Sequence, residues 1–180
     1  MRKLTVAVLM ASLLAGAAVL AYAQDKKKAG RTSPHETTSA VIAGKKISVE
    51  YGRPFKKGRT IFGGLVPWGK VWRAGADEAT VFTTGGDLML GHLHVPAGSY
   101  SLFTIPTPEG WTLILNKTVK QWGAYSYDQG QDLGRVPMKA EASGNPTEQF
   151  TVLIEGTGGN DGVLKLVWDT TAASVPIMVH

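Results

Sequence analysis

The sequence predicts an all-β protein, a single jelly-roll-like β-sandwich domain of nine or ten antiparallel strands with long loops. Three observations predict it. Apolar residues recur with period two in short runs, turn-forming residues separate those runs at near-regular spacing, and nothing beyond residue 33 carries a sustained helical repeat. Period two puts alternate side chains on one face of a strand, so each run has one buried and one solvated face.

In chain order, Arg2 and Lys3 precede an apolar run over residues 4–20 that closes on Ala21-Tyr22-Ala23. This is the layout of a secretory signal peptide, residues 1–23, with an A-x-A cleavage site. A run of roughly 17 apolar residues also approaches the length that spans a bilayer, so a membrane anchor is the competing reading. With no cysteine in the chain, lipid modification at the cleavage point is excluded. Removing 23 of the 180 residues leaves 157, enough for one domain with one core, and lowers the formal net charge from +5 to +3. The expected product is exported, periplasmic or extracellular, without stable membrane insertion.

Residues 24–33 are polar and lysine-rich, and predict a flexible linker ahead of a domain over 34–180. Lys26, Lys27 and Lys28 carry much of the remaining charge, so the basic balance gives no case for a nucleic-acid partner. The absence of cysteine also removes thiolate nucleophiles, thiolate metal sites and disulfides, leaving packing to stabilise an exported fold.

Within the domain, Ile47, Val49 and Tyr51 share one strand face, followed by strands at about 79–84, 88–95 and 99–105. Trp111, Leu113 and Leu115 define the next. Further strands are expected at about 136–142, through Phe150, Val152 and Ile154, through Leu164, Leu166 and Trp168, and at about 174–179. Ala43-Gly44, Pro108-Glu109-Gly110 and the glycine-rich stretch 156–162 supply hairpin turns. Gly63-Gly64, Pro67 and Gly69 suggest a long crossing loop, which favours a sandwich over an up-and-down barrel. Residues 117–132 form a second irregular stretch with room for one helical turn.

The densest special-purpose chemistry lies in residues 51–80, YGRPFKKGRTIFGGLVPWGKVWRAGADEAT, with six glycines, two prolines, two tryptophans, three arginines and Asp77-Glu78. Glycine and proline fix unusual backbone shapes, and a fixed loop can present Arg, Trp and carboxylate groups to a ligand. Taken with the run from Pro96 to Pro106 (PAGSYSLFTIP), Trp111, Asn116-Lys117 and Trp122-Gly123, this segment resembles the bacterial family called domain of unknown function 2911. The resemblance covers residues 33–142. It implies an exported bacterial protein of this fold and supplies no activity and no catalytic residues.

Function therefore rests on the residues. Arg53, Arg59, Trp72, Arg73 and Trp122 are the candidate ligand-binding set, since guanidinium forks suit anions and indole faces suit sugars. The partner expected is a small anionic or sugar ligand. The competing reading has the tryptophans plugging the sandwich and the arginines pairing within the protein to hold the loop. A hydrolase would use Glu78 or Asp128 as acid or base, although Asp128 also fits a turn-capping role. Asp77 and Glu78, as neighbours on an extended segment, are expected to point apart.

His92 and His94 lie outside the family pattern. On one strand they would share a face about 7 Å apart, a weak metal-site signal that lacks a carboxylate a few residues on and leaves only His35 and His180, both near chain ends, as further histidines, so no metal is expected. No cofactor is implied, because the glycine-rich stretch 156–162 leads into a strand rather than a helix and no nucleophile elbow is present. A third reading is a structural or partner-binding envelope protein.

Overall fold

The computed structural model describes residues 32–180, and Ser33–His180 form one compact unit. The signal-peptide reading and linker residues 24–31 lie outside the described residues. The first hairpin turns on Ala43 and Gly44, both with positive φ (48° and 74°), as a two-residue primed turn requires. It joins β1 (His35–Ile42) to β2 (Lys45–Gly52). There follow β3 (Thr80–Thr84), β4 (Leu88–Leu90), β5 (Leu93–Val95), β6 (Gly98–Thr107) and β7 (Gly110–Asn116). After a short 3₁₀ turn at Gln129–Gln131 come two long strands, β8 (Asp132–Gly158) and β9 (Asp161–Val179).

All nine strands belong to one antiparallel sheet in the order β1-β2-β3-β6-β7-β8-β9-β4-β5, and the sheet does not close into a barrel. It folds over on itself in a sandwich-like manner, with β8 at the fold. From Asp132 to Met138 that strand pairs with β7, and from Lys139 onward with β9. Register shifts between Ala142 and Thr147 and between Thr147 and Thr151 interrupt the ladder, and such irregularities bend a strand. The two halves then meet face to face. Tyr51 of β2 accepts a hydrogen bond from the Val152 N–H of β8 at 3.0 Å, and Ile42 packs against the backbone at Gly162.

One core runs through both halves, with Ile47, Val49, Phe82, Leu102, Leu113, Val152, Leu166 and Ile177 fully enclosed. At one end it becomes aromatic. Trp72 stacks on Trp168 at 5.9 Å and meets Phe150 edge-on at 5.1 Å, while Phe62 meets Trp111 at 4.7 Å. A smaller cluster of Ala79, Phe103 and Ile114, with Tyr127 and Ala124 against it, lies apart from this core.

The strand count matches the sequence expectation through compensating differences. Residues 88–95 divide at Gly91 into β4 and β5, because Gly91 adopts a left-handed φ of 58°. The predicted 136–142 and 150–154 strands are one strand, as are the two predicted between 164 and 179. β1 is the strand implied by the hairpin turn at Ala43-Gly44, and its own residues do not announce it, since a half-exposed edge strand has little apolar alternation to reveal it.

Candidate functional site

Segment 71–80 occupies a single lane beside β6. Trp72 exchanges backbone hydrogen bonds with Thr104 at 2.8 Å, and β3 resumes the lane at Thr80 opposite Leu102. Between them residues 74–79 leave the lane as a loop, closed by the Thr80 N–H to Arg73 carbonyl bond at 3.3 Å and by the Thr80 hydroxyl donating to the Ala74 carbonyl at 2.7 Å. Two non-glycine residues in this loop hold left-handed backbone, Ala74 (φ 49°) and Asp77 (φ 64°). Such conformations persist only where the surroundings fix them.

The fixing contact comes from β2. Ala76 N–H donates to the Gly52 carbonyl at 3.3 Å, and a Cβ on Gly52 would fall 2.3 Å from the Ala76 oxygen. A Cβ on Gly75 would likewise fall 2.9 Å from the Gly52 oxygen. Backbone lies on backbone with no room for a side chain, which is the physical use of both glycines.

The left-handed turn at Asp77 corrects the sequence expectation for the acidic pair. The segment is not extended there, so period-two geometry does not separate the neighbours. Both carboxylates reach one imidazole: His35 Nε2 lies 3.3 Å from Asp77 Oδ2 and 3.5 Å from Glu78 Oε2. His35 opens β1 directly opposite Gly52, which brings it to the loop. Asp77 is only 8% exposed and also accepts from the Ser33 N–H at 3.4 Å, whereas Glu78 is more open at 26%. Sequence reasoning missed His35, which stands near the start of the described chain and far in sequence from its partners.

The outer side of this loop is zipped to the segment 121–123. Ala79 N–H donates to the Gln121 carbonyl at 2.9 Å, Gly123 N–H donates to the Asp77 carbonyl at 3.0 Å, and Glu78 and Trp122 form an antiparallel bridge. Directly opposite residues in such a bridge put their side chains on the same face, so Trp122 stands beside Glu78. Trp122 is 49% exposed and Tyr125 87%, and the Tyr125 ring lies over the left-handed Gly123, where a Cβ would meet it at 2.9 Å.

The remaining candidates are dispersed. Trp72 belongs to the aromatic end of the core. Arg53 clamps the halves together: Nε donates to the Phe150 carbonyl at 3.1 Å, one terminal nitrogen to the Thr151 hydroxyl at 2.8 Å, and the other pairs with Glu36. Arg59 folds onto its own loop, donating to the carbonyls of Lys56 and Phe55. Arg73 follows Trp72 in the lane beside β6, and its Nε is buried without a hydrogen-bond partner among the described residues. Asp128 caps the 3₁₀ turn, accepting from the Gly130 N–H at 2.9 Å. The five proposed ligand-binding residues therefore do not share one surface.

The histidine pair is also separated. His92 sits in the turn before β5 and only His94 is in the strand, so the two do not line one strand face. His94 lies 3.5 Å from Asp87 and its ring is 6.0 Å from that of His180. Among the described residues no group of three or more His, Cys, Asp or Glu is arranged to hold a metal ion, and none of their helices is long and apolar enough to cross a membrane.

An all-β, sandwich-like domain bearing an acidic loop zipped to exposed aromatics is the class these features define. The chain belongs to the family described as Protein of unknown function (DUF2911), whose model matches residues 33–177. No curated protein and no solved structure matched the chain.

Proposed function

We propose that this is an exported bacterial envelope protein that binds a small carbohydrate across Trp122, Tyr125 and Glu78. One observation carries the reading: a half-exposed indole stands directly opposite a carboxylate on backbone braced from both sides. An indole face takes the apolar face of a sugar ring, and a carboxylate accepts hydrogen bonds from ring hydroxyls. The acidic pair beside it disfavours an anion, and Arg53 and Arg59, which would have suited one, donate to other parts of the fold rather than at this site. A sugar therefore fits better than the anionic alternative. Bracing lowers the ordering cost of binding, because the backbone that carries Trp122 and Glu78 is already held in place.

Calorimetry of the purified protein against a panel of cell-wall mono- and oligosaccharides tests this reading. Trp122→Ala and Glu78→Gln are each expected to weaken binding by roughly tenfold. No heat from any sugar, or equal affinity in Trp122→Ala, sinks it. The 3.5 Å approach of His35 to Glu78 supports a second reading, a hydrolase in which Glu78 exchanges a proton with the substrate. Release of reducing sugar from the same panel, lost in Glu78→Gln with binding retained, would select it.

A further inference from the structure

We infer that the loop 55–70 is a docking knob for an anionic lipid surface. From residue 51 to residue 76 the chain has six basic residues, Arg53, Lys56, Lys57, Arg59, Lys70 and Arg73, and no carboxylate. Arg53 is paired with Glu36 and Lys56 with Asp169. Lys57, Arg59 and Lys70 are exposed, and no ion pair neutralises them among the described residues. Amid these cations the loop exposes Leu65 (47%) and Trp68 (40%), with Phe55 at its base.

The exposure is built in, because the root of the loop is fixed. Ile61 and Val66 are buried, and Phe62 packs against Trp111, Trp72 and Trp168. Four backbone hydrogen bonds close the tip: Gly63 to Val66, Gly64 to Ile61, Leu65 to Thr60 and Val66 to Ile61. Trp68 stacks on Phe62 at 6.0 Å and lies so close to Gly63 that a Cβ there would stand 2.4 Å from the indole nitrogen. Leu65 is thus carried outward on a hydrogen-bonded turn, with its own N–H donated to the Thr60 carbonyl at 3.0 Å.

Exposed Leu and Trp among lysines and arginine is the chemistry of an interfacial anchor. The apolar groups enter the headgroup boundary and the cations meet acidic headgroups. Cores of protein–protein interfaces are instead poor in lysine, which makes a lipid surface the better match. The carbohydrate reading above uses different residues and does not depend on this one.

Vesicle co-sedimentation of the purified protein tests the inference. Binding to phosphatidylglycerol-containing vesicles is expected to exceed binding to phosphatidylcholine vesicles by at least about tenfold and to weaken in about 0.5 M salt. Leu65→Glu is expected to lower it by about tenfold or more and Lys70→Glu by at least about fivefold, while Val41→Glu, at an exposed apolar site elsewhere, leaves it unchanged. Brominated lipid should quench a fraction of the emission that Trp68→Phe removes. The proposal is overturned by equal binding to neutral and acidic vesicles, by a Leu65→Glu variant that binds like the parent, or by a photo-cross-linker at Leu65 that captures only protein. Should a Trp68 variant fail to fold, Leu65→Glu decides alone, since its side chain is exposed.

Discussion

Gly52→Ala is the sharpest test of how the acidic loop is held. Gly52 lacks a left-handed φ, so alanine is compatible with its backbone, and a Gly→Ala change at such a position ordinarily stabilises by about 0.4–1 kcal/mol through the unfolded chain. The structure reverses that sign. The new Cβ falls 2.3 Å from the Ala76 oxygen and 2.9 Å from its carbonyl carbon, so loop 74–79 must retreat by roughly 1 Å to reach ordinary contact. Overpacking of this kind costs about 1–3 kcal/mol, which outweighs the entropic gain and leaves a net loss of about 1–2 kcal/mol. Urea unfolding reads it as a lower midpoint at unchanged slope. Gly144→Ala is the matched control: its Cβ meets nothing within 4 Å, so a small gain is expected there. The displaced loop also pulls Asp77 and Glu78 away from His35, so the variant should lose sugar affinity while still folded. A Gly52→Ala protein as stable as the parent, or more so, would refute the close backbone contact and with it the account of why the carboxylates converge.

Two further outcomes follow from named contacts. Arg53→Ala removes three donors that join β1, β2 and β8, and should cost about 2 kcal/mol, most of it from the bonds to Phe150 and Thr151 rather than the partly exposed pair with Glu36. Arg53→Lys should restore little, because an ammonium cannot fork to three acceptors, and sugar affinity of the folded variants should be unchanged; a stability-neutral variant that loses binding would return Arg53 to the ligand site. Alkali should destabilise the fold. Burial raises the hydroxyls of Tyr51, Tyr100 and Tyr127 above their usual 10.0, reinforced at Tyr127 by its bond to the Asp132 carboxylate. A raised folded value means the neutral form is favoured, so this stability is fully present below pH about 10 and is lost as pH rises through the folded values. Tyr127→Phe should flatten part of that fall in denaturation melts from pH about 9 to about 11, and a parent whose stability is flat over that range would contradict it.

Strands with a buried face were legible in the sequence because one face alternates, as in Phe150-Val152-Ile154 and Leu164-Leu166-Trp168. Their continuity was not. A strand that turns the corner between two halves exchanges partners midway, and in β8 the mostly exposed residues 141–149 carry no apolar rhythm to join its ends. The site failed differently. Composition flagged the segment that holds Asp77 and Glu78, but tryptophan and arginine serve a core and a ligand with the same chemistry, and only burial sorts Trp72 from Trp122. Asp77 and Glu78 were set apart by assuming extended backbone, the default for neighbours flanked by strands. What overturns it is a left-handed aspartate, and aspartate tolerates that conformation without advertising it as glycine does. Its cause lies in Gly52, more than twenty positions earlier, where a missing side chain lets β2 press on the loop and β1 deliver His35. The convergence of one imidazole on two carboxylates is thus a property of three strands' register, so no motif within residues 51–80 could have announced it. The same register explains why Trp122 is presented beside Glu78: the loop that bends Asp77 back also exposes the backbone edge to which Gln121 and Gly123 bind.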